Sequence, residues 1–262
     1  MNKIYSIFRI IVFSILSFCS VHYSYGVVYF NDNFSNSLEK WNFVPGTVSN
    51  LDSWAISNGV LIGTVNYGGS SYLYPITTPR VLSDFVLQSS VMNVSGVDVN
   101  IFFRQSEDKE HYYAVGYRFN SPGWPGVNNI VLYKYDHGYS LLKSYSPLLN
   151  NNLTQNIWHK IKIDVSGQLI NIYFDDNLAI SYVDDGVVFD AGLIALQNWG
   201  GTFTSKIINK FDDFAISDGS ISQNKIIFLP GFGGSWNEKA MVLNQIVPQS
   251  EWRMTPFAKG VL

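Results

Sequence analysis

The sequence predicts an all-β protein built from two packed antiparallel sheets, and three features predict it. Short alternating apolar and polar runs recur from Val27 to about Ser217, Asn, Asp, Gly and Ser turns separate them, and no segment before residue 235 carries a helical stripe. Many short strands within about 190 residues bury their apolar faces most simply as a two-layer sandwich.

In chain order the runs are Trp54-Ala55-Ile56, Gly59-Val60-Leu61-Ile62, Phe85-Val86-Leu87-Gln88, Val99 to Arg104, Tyr112 to Phe119 and Ile130-Val131-Leu132-Tyr133. The clearest unit follows. Trp158 to Val165, Gln168 to Phe174 and Leu178 to Tyr182 are separated by Ser166-Gly167 and Asp175-Asp176-Asn177, which predicts a three-stranded meander with tight turns. His159, Ile161, Ile163 and Val165 share one face of its first strand, with Lys160, Lys162 and Asp164 on the other.

Bulk properties narrow the function. The chain has 262 residues, 47% of them hydrophobic, enough for a large core. With 17 basic against 20 acidic residues and no basic run, nothing marks a nucleic-acid partner. Lys3 and Arg9 precede the apolar run Ile10 to Cys19, and Ser24-Tyr25-Gly26 offers a small-x-small cleavage site, so residues 1–26 are expected to be an export signal. The alternative is a retained anchor, against which stands a run shorter than the ~20 residues that span a bilayer. Bulky Phe18 argues against lipidation of Cys19. Cys19 is the only cysteine, so the exported chain has no disulfide, and losing Lys3 and Arg9 moves the formal charge from -3 to -5. An acidic, aromatic-rich surface suits neutral sugars better than polyanions. The expected location is extracellular, cell-surface or periplasmic, with no stable membrane span after cleavage and a monomeric state.

The order of Asp32-Asn33-Phe34, Asn58-Gly59-Val60-Leu61, Phe103-Arg104, Tyr112-Tyr113, the Trp158-His159 meander, Ala191-Gly192-Leu193 and Phe211-Asp212-Asp213-Phe214 resembles the concanavalin A-like jelly rolls. Within that group it is most similar to laminin-G-like modules and to the domain known as 3-keto-disaccharide hydrolase or family-16-glycosidase-like. The resemblance implies a jelly-roll sandwich over residues 27–217. It also implies a structural Ca2+ held by Asp32 and Asp213, since hard oxygen ligands suit that ion; exposed edge or turn carboxylates are the alternative.

Cleaving a glycosidic bond usually takes two carboxylates on opposite sides of it. The alternating carboxylate motif of family-16 enzymes is absent, and Glu107-Asp108-Lys109-Glu110 reads as a charged turn. Sugar rings stack on aromatic faces and hydrogen-bond through their hydroxyls, which makes Arg104, Tyr112, Tyr117, Trp124, Tyr133, Asn198 and Trp199 the candidate ligand contacts, core packing being the alternative for each tyrosine. Phe103 and Arg104 are expected on opposite faces, as are Tyr117 and Arg118, so only part of this set shares a surface. His111, His137 and His159 are scattered and predict no zinc cluster.

After a polar linker at 218–224, Lys225 to Leu229 and the Pro230-Gly231-Phe232-Gly233-Gly234 turn resemble the third strand and oxyanion loop of an α/β-hydrolase, with Gly231, Phe232 and Gly233 as its remnant. The nucleophile elbow, acid and histidine that complete such a site do not follow, and residues 225–262 are too few to hold them. Either this is the opening of a longer hydrolase domain or an ornament on the β domain; the apolar Trp236, Trp252, Met254 and Phe257 favour the first. The function expected is an exported module that binds a polysaccharide or surface glycan and targets a linked hydrolase. The alternative makes the β domain itself a hydrolase or lyase of 3-keto-glycosides, with His111, Glu110 or Asp136 as candidate acid or base. A purely adhesive laminin-G-like module is the third class.

Overall fold

A computed structural model describes residues 26–45, 53–66, 69–96, 98–119, 128–146, 153–200 and 206–219. Most of the expected signal, Trp124, most of the linker and the Gly231-Phe232-Gly233 loop lie outside the described residues. No helix among the described residues is long and apolar enough to cross a membrane.

Fifteen strands are described: β1 (Val28–Asp32), β2 (Trp41–Pro45), β3 (Ser53–Ser57), β4 (Val60–Val65), β5 (Ser70–Pro75), β6 (Phe85–Ser95), β7 (Asp98–Gln105), β8 (His111–Arg118), β9 (Asn129–Asp136), β10 (Tyr139–Tyr145), β11 (His159–Ser166), β12 (Leu169–Phe174), β13 (Asn177–Val183), β14 (Leu193–Trp199) and β15 (Ile207–Ser217). They form the jelly-roll sandwich expected. One sheet has eight strands in the order β13-β12-β11-β6-β15-β4-β3, with β1 also paired to β15; the other has seven in the order β10-β9-β8-β7-β14-β5-β2. All pairs are antiparallel. The β11-β12-β13 meander takes the expected turns, with Gly167 at φ 54 and Asp175 and Asp176 at φ 47 and 63.

Between the sheets lies a continuous core that includes Leu61, Leu87, Val99, Ile101, Phe103, Tyr113, Val115, Tyr117, Ile163, Ile172 and Phe211. Each large side chain fully buried here contributes about 1.5–3 kcal/mol. Asn93, Asn198 and Asn209 cross this apolar layer. Asn93 Nδ2 donates to Asn209 Oδ1 at 2.7 Å, and Asn209 Nδ2 donates to Asn198 Oδ1 at 2.8 Å. The three amides therefore join β6 and β15 of one sheet to β14 of the other.

The strand pairing slips at several points among the described residues, two of them at Asp213 and Arg104. Asp213, at φ 49, interrupts β15, so Ile207 to Phe211 pair with β4 while Phe214 to Ser217 pair with β1. Arg104, at φ 47, interrupts β7 where its pairing to β14 slips. Its guanidinium is buried, donating to Ser83 O at 2.9 Å, Gly167 O at 2.8 Å and Asp84 at 3.3 Å. Gly192 lies against this bulge: a Cβ there would stand 2.3 Å from the Arg104 carbonyl carbon and 2.5 Å from Gln105 N. Backbone cannot retreat as a flexible side chain does. Gly192→Ala is therefore expected to destabilise the protein by about 2 kcal/mol, read as a lowered urea midpoint at unchanged m-value.

Candidate functional site

The alternate residues of the seven-stranded sheet form a second cluster, on the face turned away from the main core. Tyr74, Phe102, Tyr112, Ala114 and Ala195 make it, with Tyr72, Tyr133 and Tyr135 packed against them. Strand register arranges this face in rows. Ala195 faces Phe102, which faces Ala114, which faces Tyr133; one row over, Gln197 faces Asn100, which faces Gly116, which faces Val131. A Cβ on Gly116 would lie 3.0 Å from Asn100 Oδ1 and 3.1 Å from Val131, so glycine keeps the middle of the face low. Tyrosines rise on both sides, Tyr72 and Tyr74 from β5 and Tyr133, Tyr135 and Tyr139 from β9 and β10. Tyr139 is 68% exposed, and its ring meets that of Tyr135 edge-on at 4.9 Å.

Their hydroxyls are held in one sense. Gln197 Nε2 donates to the Tyr72 oxygen at 2.9 Å, Arg118 to the Tyr133 oxygen at 2.7 Å, and the Tyr112 hydroxyl to the Tyr139 oxygen at 2.9 Å. A phenol whose oxygen already accepts keeps its own hydrogen for a further partner. Burial pushes the Tyr72 and Tyr112 hydroxyls above the usual phenol range, so they stay protonated.

One carboxylate shares the polar end of this face. Asp98, at the start of β7, is 6% exposed, and its Oδ1 stands 3.6 Å from Arg118 Nε with no hydrogen-bond partner among the described residues. Burial pushes its carboxyl up to about 6, and the Arg118 guanidinium offsets only part of that rise. The register that sets Gln197 against Asn100 carries Trp199, 43% exposed, to the level of Asp98.

Residues 27–216 match the 3-keto-alpha-glucoside-1,2-lyase-like domain. The chain belongs to that family. Curated proteins yield no match. Among solved structures, the carbohydrate-binding module CBM66 from Bacillus subtilis is 21% identical, with a TM-score of 0.51 over 68% of this chain and 94% of that one. The Bacillus licheniformis beta-glucanase is 12% identical, with a TM-score of 0.53 over 72% of this chain and 97% of that one. A Bacteroides ovatus GH16 protein, solved with a G4G4G3G product, is 13% identical, with a TM-score of 0.54 over 71% and 99%. At such identities the likeness establishes the fold, which binding modules and hydrolases share.

Within this lyase-like domain the expected contacts divide. Tyr133 and Trp199 reach the aromatic face, and Tyr112 lies beneath it, stacked on Tyr135 at 4.9 Å. Tyr117 does not reach it: fully buried, it packs between the sheets on Phe174. Asn198 serves the buried amide bridge, and Arg104 braces its bulge, which also removes the expected simple alternation between Phe103 and Arg104. Sequence reasoning missed Tyr72, Tyr135, Tyr139 and Asp98. Alternation within Tyr72-Leu73-Tyr74 and Tyr133-Lys134-Tyr135, and a carboxylate set into the apolar strand around Val99, were the available signals.

The two carboxylates expected by resemblance to hold calcium differ in their surroundings. Asp32 and Asp213 do come from neighbouring strands, but both Asp32 oxygens accept from N–H donors, Phe34 N at 2.8 Å and Trp41 Nε1 at 2.8 Å, while Asp213 is exposed on its bulge. Asp32 anchors Trp41. The histidines, expected to be scattered, are a correction. His159 is buried against Asp175, but His111 and His137 converge on Asp136. Glu110, the third acid or base expected, is exposed in the adjacent turn.

Proposed function

We propose that the outer face of the seven-stranded sheet binds a neutral glycan, with sugar rings stacked on Tyr72, Tyr133, Tyr135, Tyr139 and Trp199. The observation that carries this reading is the common sense of the phenols: Tyr72, Tyr133 and Tyr139 each accept from the protein and keep a donor for a sugar oxygen. Rings supply apolar contact and hydroxyls supply orientation, the division of labour that ligand sites favour. The signal-like residues 1–26 support export, to where such a face meets polysaccharide. Where the Phe228 to Asn237 stretch opens a hydrolase domain, the face raises that domain's local substrate concentration. Affinity electrophoresis through neutral polysaccharides tests the reading. Retardation by at least one is expected, and free migration through all of them overturns it.

Asp98 favours a second reading, elimination from a 3-keto-glucoside. Hydrolysis by paired carboxylates needs two such groups, whereas elimination needs one base. The 3-keto group acidifies the hydrogen on C2; Asp98 removes it, the electron pair forms the C1–C2 double bond, and the C1–O bond to the leaving group breaks. The departing oxygen takes a proton from Asp98 or solvent. A carboxyl poised at about 6 is ionised at neutral pH yet basic enough to act. Rising enone absorbance on a 3-keto-α-glucoside supports elimination, and a flat trace with intact substrate excludes it.

A further inference from the structure

We propose that His111, Asp136 and His137 form a binding site for a divalent transition-metal ion at one end of the seven-stranded sheet. His111 opens β8 and pairs in register with Asp136, the last residue of β9, and His137 follows in the turn to β10. Asp136 Oδ1 stands 3.0 Å from Nδ1 of each imidazole, the two rings are 4.9 Å apart, and one ligand atom from each residue falls within 4.8 Å of the others.

Two imidazoles and a carboxylate suit Zn2+, Co2+ or Ni2+ rather than calcium or magnesium, which take oxygen ligands. Ligands at ~2.0–2.1 Å from one ion stand roughly 3 Å apart, which is the spacing of Asp136 from each imidazole here. The His111 nitrogen adds a second observation. Its Nδ1 is buried and satisfies no geometric hydrogen bond among the described residues although it lies 3.0 Å from Asp136, the spacing of shared ligands.

The surroundings hold this arrangement. Phe189 backs the His111 ring at 5.3 Å, and His137 N donates to Glu110 O, tying the turn to the start of β8. Asp108, fixed by the Ser106 hydroxyl and Glu110 N, brings a further negative charge close to both imidazoles. Three protein ligands leave coordination positions for water or a ligand oxygen. His111 and Asp136 directly adjoin Tyr112 and Tyr135, so the ion stands at the end of one row of the aromatic face. The metal site stands on its three side chains alone and does not require that face to bind glycan.

Cobalt titration of the full chain, prepared without a histidine tag, tests this. Visible d–d absorption saturating at one Co2+ per chain and displaced by Zn2+ is expected. His111→Ala, His137→Ala and the size-conserving Asp136→Asn are each expected to weaken binding at least about tenfold, while Asp176→Asn, at an exposed turn elsewhere, leaves it unchanged. Absence of a saturable band in the wild-type chain overturns the site, as does undiminished binding by Asp136→Asn and the two alanine variants.

Discussion

Replacing Tyr133 and Tyr135 together by alanine is expected to weaken glycan binding by about 100-fold while leaving the fold intact. Both rings lie partly exposed on the outer face and neither belongs to the core between the sheets. Loss of an anchoring aromatic typically costs about 2 kcal/mol, near thirtyfold in affinity, and the two adjacent positions share part of that effect. Tyr133 also receives the Arg118 hydrogen bond, so its removal frees the guanidinium that faces Asp98. Titration calorimetry with a retained oligosaccharide, beside a thermal melt, separates affinity from stability. Near-wild-type affinity in a folded double variant would move the binding surface elsewhere.

Asp98→Asn is expected to stabilise the protein by about 2–3 kcal/mol above pH 6 and to abolish elimination. Burial raises the Asp98 carboxyl to about 6, so the native state holds this proton more tightly than the unfolded chain does. The resulting stability is fully present below the unfolded value near 3.8 and is lost as pH rises through about 6, beyond which a buried charge with a distant partner remains. Asparagine never ionises, so the advantage of the variant grows from pH 4 to pH 7 and then levels off. Urea denaturation at pH 4 and pH 8 measures both ends. A variant less stable than wild type at pH 8 would mean that Arg118 stabilises the ionised carboxylate more than burial opposes it. If Asp98 is the base of an elimination, the wild-type rate climbs with pH through about 6 and the stabilised variant is inactive.

The meander and the strand positions were legible because they depend on local chemistry. In Trp158 to Tyr182, alternation and turn residues fixed strands, turns and buried face together, and His159 falls on that face. The candidate site was only partly legible. A period of two separates Tyr112 from Tyr113 and Tyr117 from Arg118, but it leaves open which face meets the second sheet. Tyr117 was therefore a candidate contact although it is core, and Tyr135 was overlooked although it shares a face with Tyr133. At Arg104 even the period failed, because one residue at positive φ lets the alternation slip.

The sequence by itself determined an all-β chain with its strands, its tight turns and a surplus of aromatics, since hydrophobic period and turn chemistry act within a few residues. Tertiary structure alone decided which tyrosines became core and which became surface, because that depends on how two sheets separated along the chain come to face each other. It also set Asp98 beside Arg118 and closed His111 onto Asp136 and His137, contacts made by strand register between residues that no local pattern brings together.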